Sequence, residues 1–96
     1  MKEIYKSIVN EIKAITNLPI YEVTIQHKDN FGDICDTEDY EIPVEEVKDQ
    51  LTKIIEKLNN GELNNYLEEV LDEDEDVETN TRLFLEYLID NEILKV

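Results

Sequence analysis

The stretch Ile20-Tyr21-Glu22-Val23-Thr24-Ile25-Gln26-His27, followed by Asp29-Asn30-Phe31-Gly32-Asp33 and then Ile34 to Ile42, decides the fold. Its first eight residues are rich in β-branched and aromatic side chains. Tyr21, Val23 and Ile25 alternate with Glu22, Thr24 and Gln26, the period of a half-buried strand. The Asp-Asn-Phe-Gly-Asp segment supplies turn chemistry, with Gly32 suited to a positive φ. A second strand is expected over 34–42. Ile34, Tyr40 and Ile42 share one face with Asp36 and Glu38, while Cys35, Thr37, Asp39 and Glu41 occupy the other. Both faces are acidic in the middle, which suits an edge strand protected by charge but does not pin its register.

Outward from this hairpin the periodicity changes to that of helices. Ile4, Ile8, Ile12 and Ile15, with Tyr5 and Val9, predict a helix over 2–16 that stops at Thr16-Asn17-Leu18-Pro19. On the other side, Val44, Val47, Leu51, Ile54 and Leu58 predict a helix over 43–59. Pro43 would take its first position, acids lie early, Lys53 and Lys57 lie late, and Asn59-Asn60-Gly61 ends it. Leu63, Tyr66, Leu67, Val70 and Leu71 predict a short helix over 62–71. After the run Asp72-Glu73-Asp74-Glu75-Asp76, a last helix is expected with Thr79, Asn80 or Thr81 as its cap, carrying Leu83, Phe84, Leu85, Tyr87, Leu88, Ile89, Ile93 and Leu94. The order α-β-β-α-α-α predicts a single α+β domain over 1–96, one antiparallel β-hairpin packed against about four helices. The last helix is apolar on more than one face. It is either the central core element or, through residues 83–94, a homodimer contact.

Charge sets the class of partner. The 96 residues contain 25 Asp and Glu against 9 Lys and Arg, a net charge of −16. Residues 1–28 hold three acids and four lysines, so the remaining residues carry 22 acids, five bases and a charge of −17. Such a chain is not expected to bind nucleic acid or an anionic membrane directly, and it should attract basic surfaces. The single cysteine, Cys35, precludes an internal disulfide and fits a reducing compartment. The charged N-terminus does not read as a signal peptide, and no apolar run reaches the roughly 20 residues of a membrane span. A cytoplasmic protein is the expectation.

Enzyme and metal chemistry find little support. Ser7 is the only serine, His27 the only histidine, and a Cys35–His27 pair across the hairpin would have no basic surroundings to activate the thiol. Asp72-x-Asp74-x-Asp76 resembles the start of a calcium loop. The sixth and twelfth positions, which need Gly and Glu, hold Val77 and Leu83. The expectation is a protein that is not an enzyme and takes no cofactor.

Two acidic stretches remain. One comprises Asp36, Glu38, Asp39, Glu41, Glu45, Glu46 and Asp49. The other comprises Glu68, Glu69, Asp72, Glu73, Asp74, Glu75, Asp76 and Glu78. Same-face strand residues are about 6.6 Å apart and helical neighbours four apart are about 6 Å along the axis. Successive phosphates on one DNA strand rise about 3.4 Å along the duplex axis, and winding lengthens their direct separation, so rows of carboxylates can be spaced comparably.

In size, charge and absence of catalytic motifs, the whole chain resembles the small acidic inhibitors of nucleic-acid enzymes. These are the phage anti-CRISPR and anti-restriction DNA mimics and the acidic immunity proteins that block nucleases. The resemblance implies a stoichiometric inhibitor that occupies the basic nucleic-acid channel of a nuclease such as a CRISPR effector. Its partner-binding residues would be Asp36, Glu38, Asp39, Glu41, Glu45, Glu46, Asp49, Glu69, Asp72, Glu73, Asp74, Glu75, Asp76 and Glu78. The rival expectation is a homodimeric assembly module whose charge only keeps it soluble. Phe31, at the turn tip, is expected to fold back onto the hairpin unless it serves as an interface anchor.

Overall fold

Where the apolar period is two the chain forms strands, and where it is three to four it forms helices. The computed structural model describes residues 2–96, and their side chains except at 25–28 and 34. In order these are α1 (Glu3–Ile15), β1 (Ile20–Lys28), β2 (Ile34–Pro43), α2 (Val44–Asn59), α3 (Asn64–Val70) and α4 (Val77–Asp90). The fold is α+β, with four helices and one two-stranded antiparallel hairpin.

The register of the hairpin separates its two halves. Tyr21 lies opposite Ile42, Glu22 opposite Glu41, Val23 opposite Tyr40, Thr24 opposite Asp39 and His27 opposite Asp36. Val23 and Ile42 are buried, and Tyr21 and Tyr40 pack partly against the same core. Farther along β2, residues 35–39 are all exposed, so Asp36 and Glu38 share the core-facing side of the strand yet lie beyond the core. The hairpin is therefore anchored at its 20–23/40–43 end and projects as an arm at the other. A register shift after His27 leaves Cys35 as the extra residue of a bulge, which increases local twist in the arm.

The core sits between α1, α2 and α4. Ile8, Ile12, Leu51, Ile54, Leu58, Phe84, Leu85 and Leu88 form its centre. Phe84 and Leu88 have no exposed surface at all. The buried face of α4, with Phe84, Leu85 and Leu88, is thus part of the core. Leu83, Tyr87, Ile89 and Ile93 are half-buried, and among the described residues the exposed large apolar side chains, Leu18, Ile20, Phe31 and Val96, lie outside 83–94.

Both long C-terminal helix ends are closed by the same device. After α2, the Gly61 amide donates to the Leu58 carbonyl and the Glu62 amide to that of Lys57, with Gly61 at φ +77°. After α4, the Glu92 amide donates to Ile89 and the Ile93 amide to Leu88, with Glu92 at φ +60°. These are Schellman turns, and the second puts a side chain where glycine is favoured. It turns the chain so that Leu94 is buried in the core. Gln50 then holds the terminus, donating to the Lys95 carbonyl at 2.7 Å and accepting from its amide at 2.9 Å.

Two local expectations are corrected. Pro43 closes β2 and stands as the N-cap of α2 rather than its first helical residue. The cap of α4 is Asp76, whose carboxylate accepts from the Thr79 amide at 2.7 Å. Thr81 and Asn80 lie inside the helix and are buried. The Thr81 hydroxyl donates to the Val77 carbonyl one turn back.

Candidate functional site

The first acidic stretch is carried by the hairpin arm and the start of α2. Asp36, Glu38, Asp39, Glu41, Glu45, Glu46 and Asp49 are all exposed. On the outward face of the hairpin, Glu41 lies directly across from Glu22, and Asp39 across from Thr24. The Thr24 hydroxyl donates to Asp39 at 3.2 Å and fixes that carboxylate. The Thr24 amide points away from β2 and donates to Glu86 at 2.8 Å. Alternation along the strand therefore makes Glu22 and Glu41 a non-hydrogen-bonded pair, the closer of the two antiparallel spacings. Two like charges so placed destabilise a sheet. Glu22 escapes a reading by composition because it lies in the electrically ordinary first third. Only the strand register brings it to the acidic face.

At the end of the arm, Asp29 organises the turn. Its carboxylate accepts from the amides of Phe31 at 2.9 Å and Asp33 at 3.0 Å, its own amide donates to the Asp33 carbonyl, and Gly32 adopts φ +82°. Phe31 does not fold back: it is 91% exposed on this ordered turn. The Cys35–His27 pair rests on a side chain that lies outside the described residues. Cys35 itself is exposed, and the Cα opposite His27 is that of Asp36.

Residues 72–76, the second acidic stretch, form an ordered loop. Asn80, only 1% exposed, clamps it from beneath. Its side-chain carbonyl accepts from the Asp72 amide at 3.0 Å, and its amide donates to the Asp72 carbonyl at 3.0 Å and to the Glu75 carbonyl at 3.4 Å. Asp72 in turn accepts from the Asp74 amide, and the Glu75 amide donates to the Asp72 carbonyl. The carboxylates of Asp72, Glu73, Asp74, Glu75 and Asp76 are thereby displayed on a fixed backbone, all exposed, with Glu69 and Glu78 exposed on the flanking helices. Thr79 donates its backbone amide to Asp76, and this holds the Asp76 carboxyl below its usual range. The neighbouring Glu68 is a structural tie that accepts from the Tyr5 hydroxyl at 3.2 Å.

A groove of about 290 Å³ lined by Tyr21, Glu22, Glu78, Thr79 and Arg82 joins the outward face of β1 to the first turns of α4. Glu22 and Glu78 thus connect the two acidic stretches across it. Arg82, the only arginine of the chain, lies 3.8 Å from Glu86. Burial raises Glu86 above the ordinary glutamate range, against the opposing effects of the Thr24 amide and of Arg82. Burial also pushes the Tyr21 phenol up to about 12. The Tyr21 shift is away from the values useful for proton transfer near neutrality, whereas that of Glu86 is toward them.

Protein-family models, characterised proteins and solved structures give no match to this chain. The site therefore has to be read from its own chemistry. Among the described residues, no group of three or more His, Cys, Asp or Glu is arranged to hold a metal ion. None of their helices is long and apolar enough to cross a membrane. What the arrangement offers a partner is a fixed anionic surface and one exposed aromatic side chain at the end of an arm.

Proposed function

We propose that this protein is a non-enzymatic, stoichiometric inhibitor that enters the basic nucleic-acid channel of a nuclease, of the CRISPR-effector kind, and blocks access of DNA or RNA. The observation that carries the reading is the fixing of the anions. The hairpin arm presents Asp36, Glu38, Asp39 and Glu41, and the clamp of Asn80 on residues 72–76 presents the second group on a backbone that needs no further ordering at binding. The Glu22–Glu41 juxtaposition supports it further, since a pair that weakens the free fold is relieved when cations arrive. A lysine- and arginine-lined channel supplies those cations, and its field speeds association.

The test is charge neutralisation at constant shape. Asp36→Asn with Glu38→Gln on the arm, and Asp72→Asn with Asp74→Asn on the loop, should each weaken inhibition of a sensitive nuclease by tenfold or more at low salt. The circular dichroism spectrum should remain that of the parent. Undiminished inhibition by both variants at low and high salt would defeat the proposal.

A further inference from the structure

The two edges of the hairpin are treated differently. On the β1 side, α4 lies alongside, and Glu86 takes the outward Thr24 amide at 2.8 Å. That same bond sets the alternation of the ladder. Tyr21 and Val23 bond across to Ile42 and Tyr40, so the backbone N–H and C=O groups of Thr37, Asp39 and Glu41 point away from β1. The Thr37 amide is already taken by the Asp36 carboxylate at 2.8 Å. The outward amides of Asp39 and Glu41 lie on exposed residues and are left to solvent.

We propose that the outer edge of β2 at Asp39 and Glu41 is a docking edge that takes one extended, lysine- and arginine-rich segment of the partner protein as a third strand. The inference rests on the reading of the partner as basic and adds how it is held: by backbone pairing at a sheet edge as well as by charge. Charge selects the occupant. A second copy would bring its own Asp39 and Glu41 to within about 4.8 Å of strand spacing, against a chain already at −16. A cationic strand placed there meets Asp39 and Glu41 on one face and Glu38 on the other. The carboxylates that bar self-association thereby become the recognition element. The bulge at Cys35 and the Asp36 plug end the usable edge toward the turn, and Pro43, which has no amide hydrogen, ends it toward α2.

The probe is a fluorescein-labelled eight-residue peptide of alternating lysine and valine. Its control is a twin N-methylated at every residue, which has the same charge and no amide donors. We expect the parent peptide to bind at low salt, to slow amide exchange at Asp39 and Glu41, and to bind at least tenfold more tightly than the twin. On the protein side, Glu41→Pro and Glu41→Gln lose the same charge, but only the proline variant loses the outward amide. It should bind the peptide several-fold more weakly than the glutamine variant. Equal binding of peptide and twin, with unchanged exchange at Asp39 and Glu41, would overturn the docking edge and leave the charge-based inhibitor reading standing. No binding of either peptide at low salt would overturn both.

Discussion

Replacing Asn80 by alanine removes the clamp under the acidic loop without changing the net charge of −16. Three hydrogen bonds disappear, two at 3.0 Å and one at 3.4 Å. Each is worth about 0.5–1.5 kcal/mol net, and the Asp72 amide and carbonyl lose partners in a partly buried setting. The expected loss is about 2–4 kcal/mol, a large share of the roughly 5–15 kcal/mol that holds a domain of this size. At about 4–8 °C per kcal/mol, Tm should fall by roughly 8–30 °C. Urea denaturation gives the energy, and amide exchange at Asp72 reports the loop directly. Inhibition measured well below the variant's Tm should weaken although every carboxylate is retained, because the loop anions are no longer held in place. A change below about 0.5 kcal/mol with unaltered exchange at Asp72 would refute the reasoning.

Two further predictions concern α4 and the turn that follows it. Glu92→Gly should stabilise the protein by about 1 kcal/mol, since a left-handed conformation costs a side chain roughly that much and glycine little; a lower Tm in thermal denaturation would contradict this. Glu86 is raised by burial, so its carboxyl favours the folded state when protonated. That contribution is complete below the ordinary glutamate range and is lost as pH rises through the raised folded value. The groups facing it are the Thr24 amide, Arg82 and Asp90. Glu86→Gln should therefore flatten the fall in stability with rising pH, as read from denaturation midpoints between pH 4 and 7, and an unchanged slope would count against it.

Much of the architecture could be read before any coordinates, because each element carries one clear period. The stripes Ile4-Ile8-Ile12-Ile15 and Val44-Val47-Leu51-Ile54-Leu58 gave α1 and α2 nearly to their ends, and Gly61 marked a helix terminus by its freedom at positive φ. The misreadings fall where two residue types compete for one local role. Asp76, Thr79, Asn80 and Thr81 are all good caps by chemistry. Asp76 takes the position because Asn80 and Thr81 are turned inward, one to hold the loop and one to its own helix. Pro43 fits a strand end as well as a helix start. Glu22 needed the strand register to be seen as part of the acidic face. Phe31 needed the Asp29-centred turn, whose hydrogen bonds hold it away from the hairpin. The apolar excess of the last helix leaves open a core or an interface by pattern alone; α1, α3 and β1 pack against it and bury Phe84, Leu85 and Leu88.

The central claim is that ordered carboxylates occupy a site meant for a polynucleotide. Its most direct test is competition. The protein is immobilised, exposed to a nuclease-treated bacterial lysate, washed, and then challenged with duplex DNA at constant ionic strength. The account predicts that a nucleic-acid-cleaving enzyme is retained, is released by the DNA, and is not retained by the variant neutralised at Asp36, Glu38, Asp72 and Asp74. Retained enzyme that DNA fails to displace, or that the neutralised variant holds equally well, would contradict it.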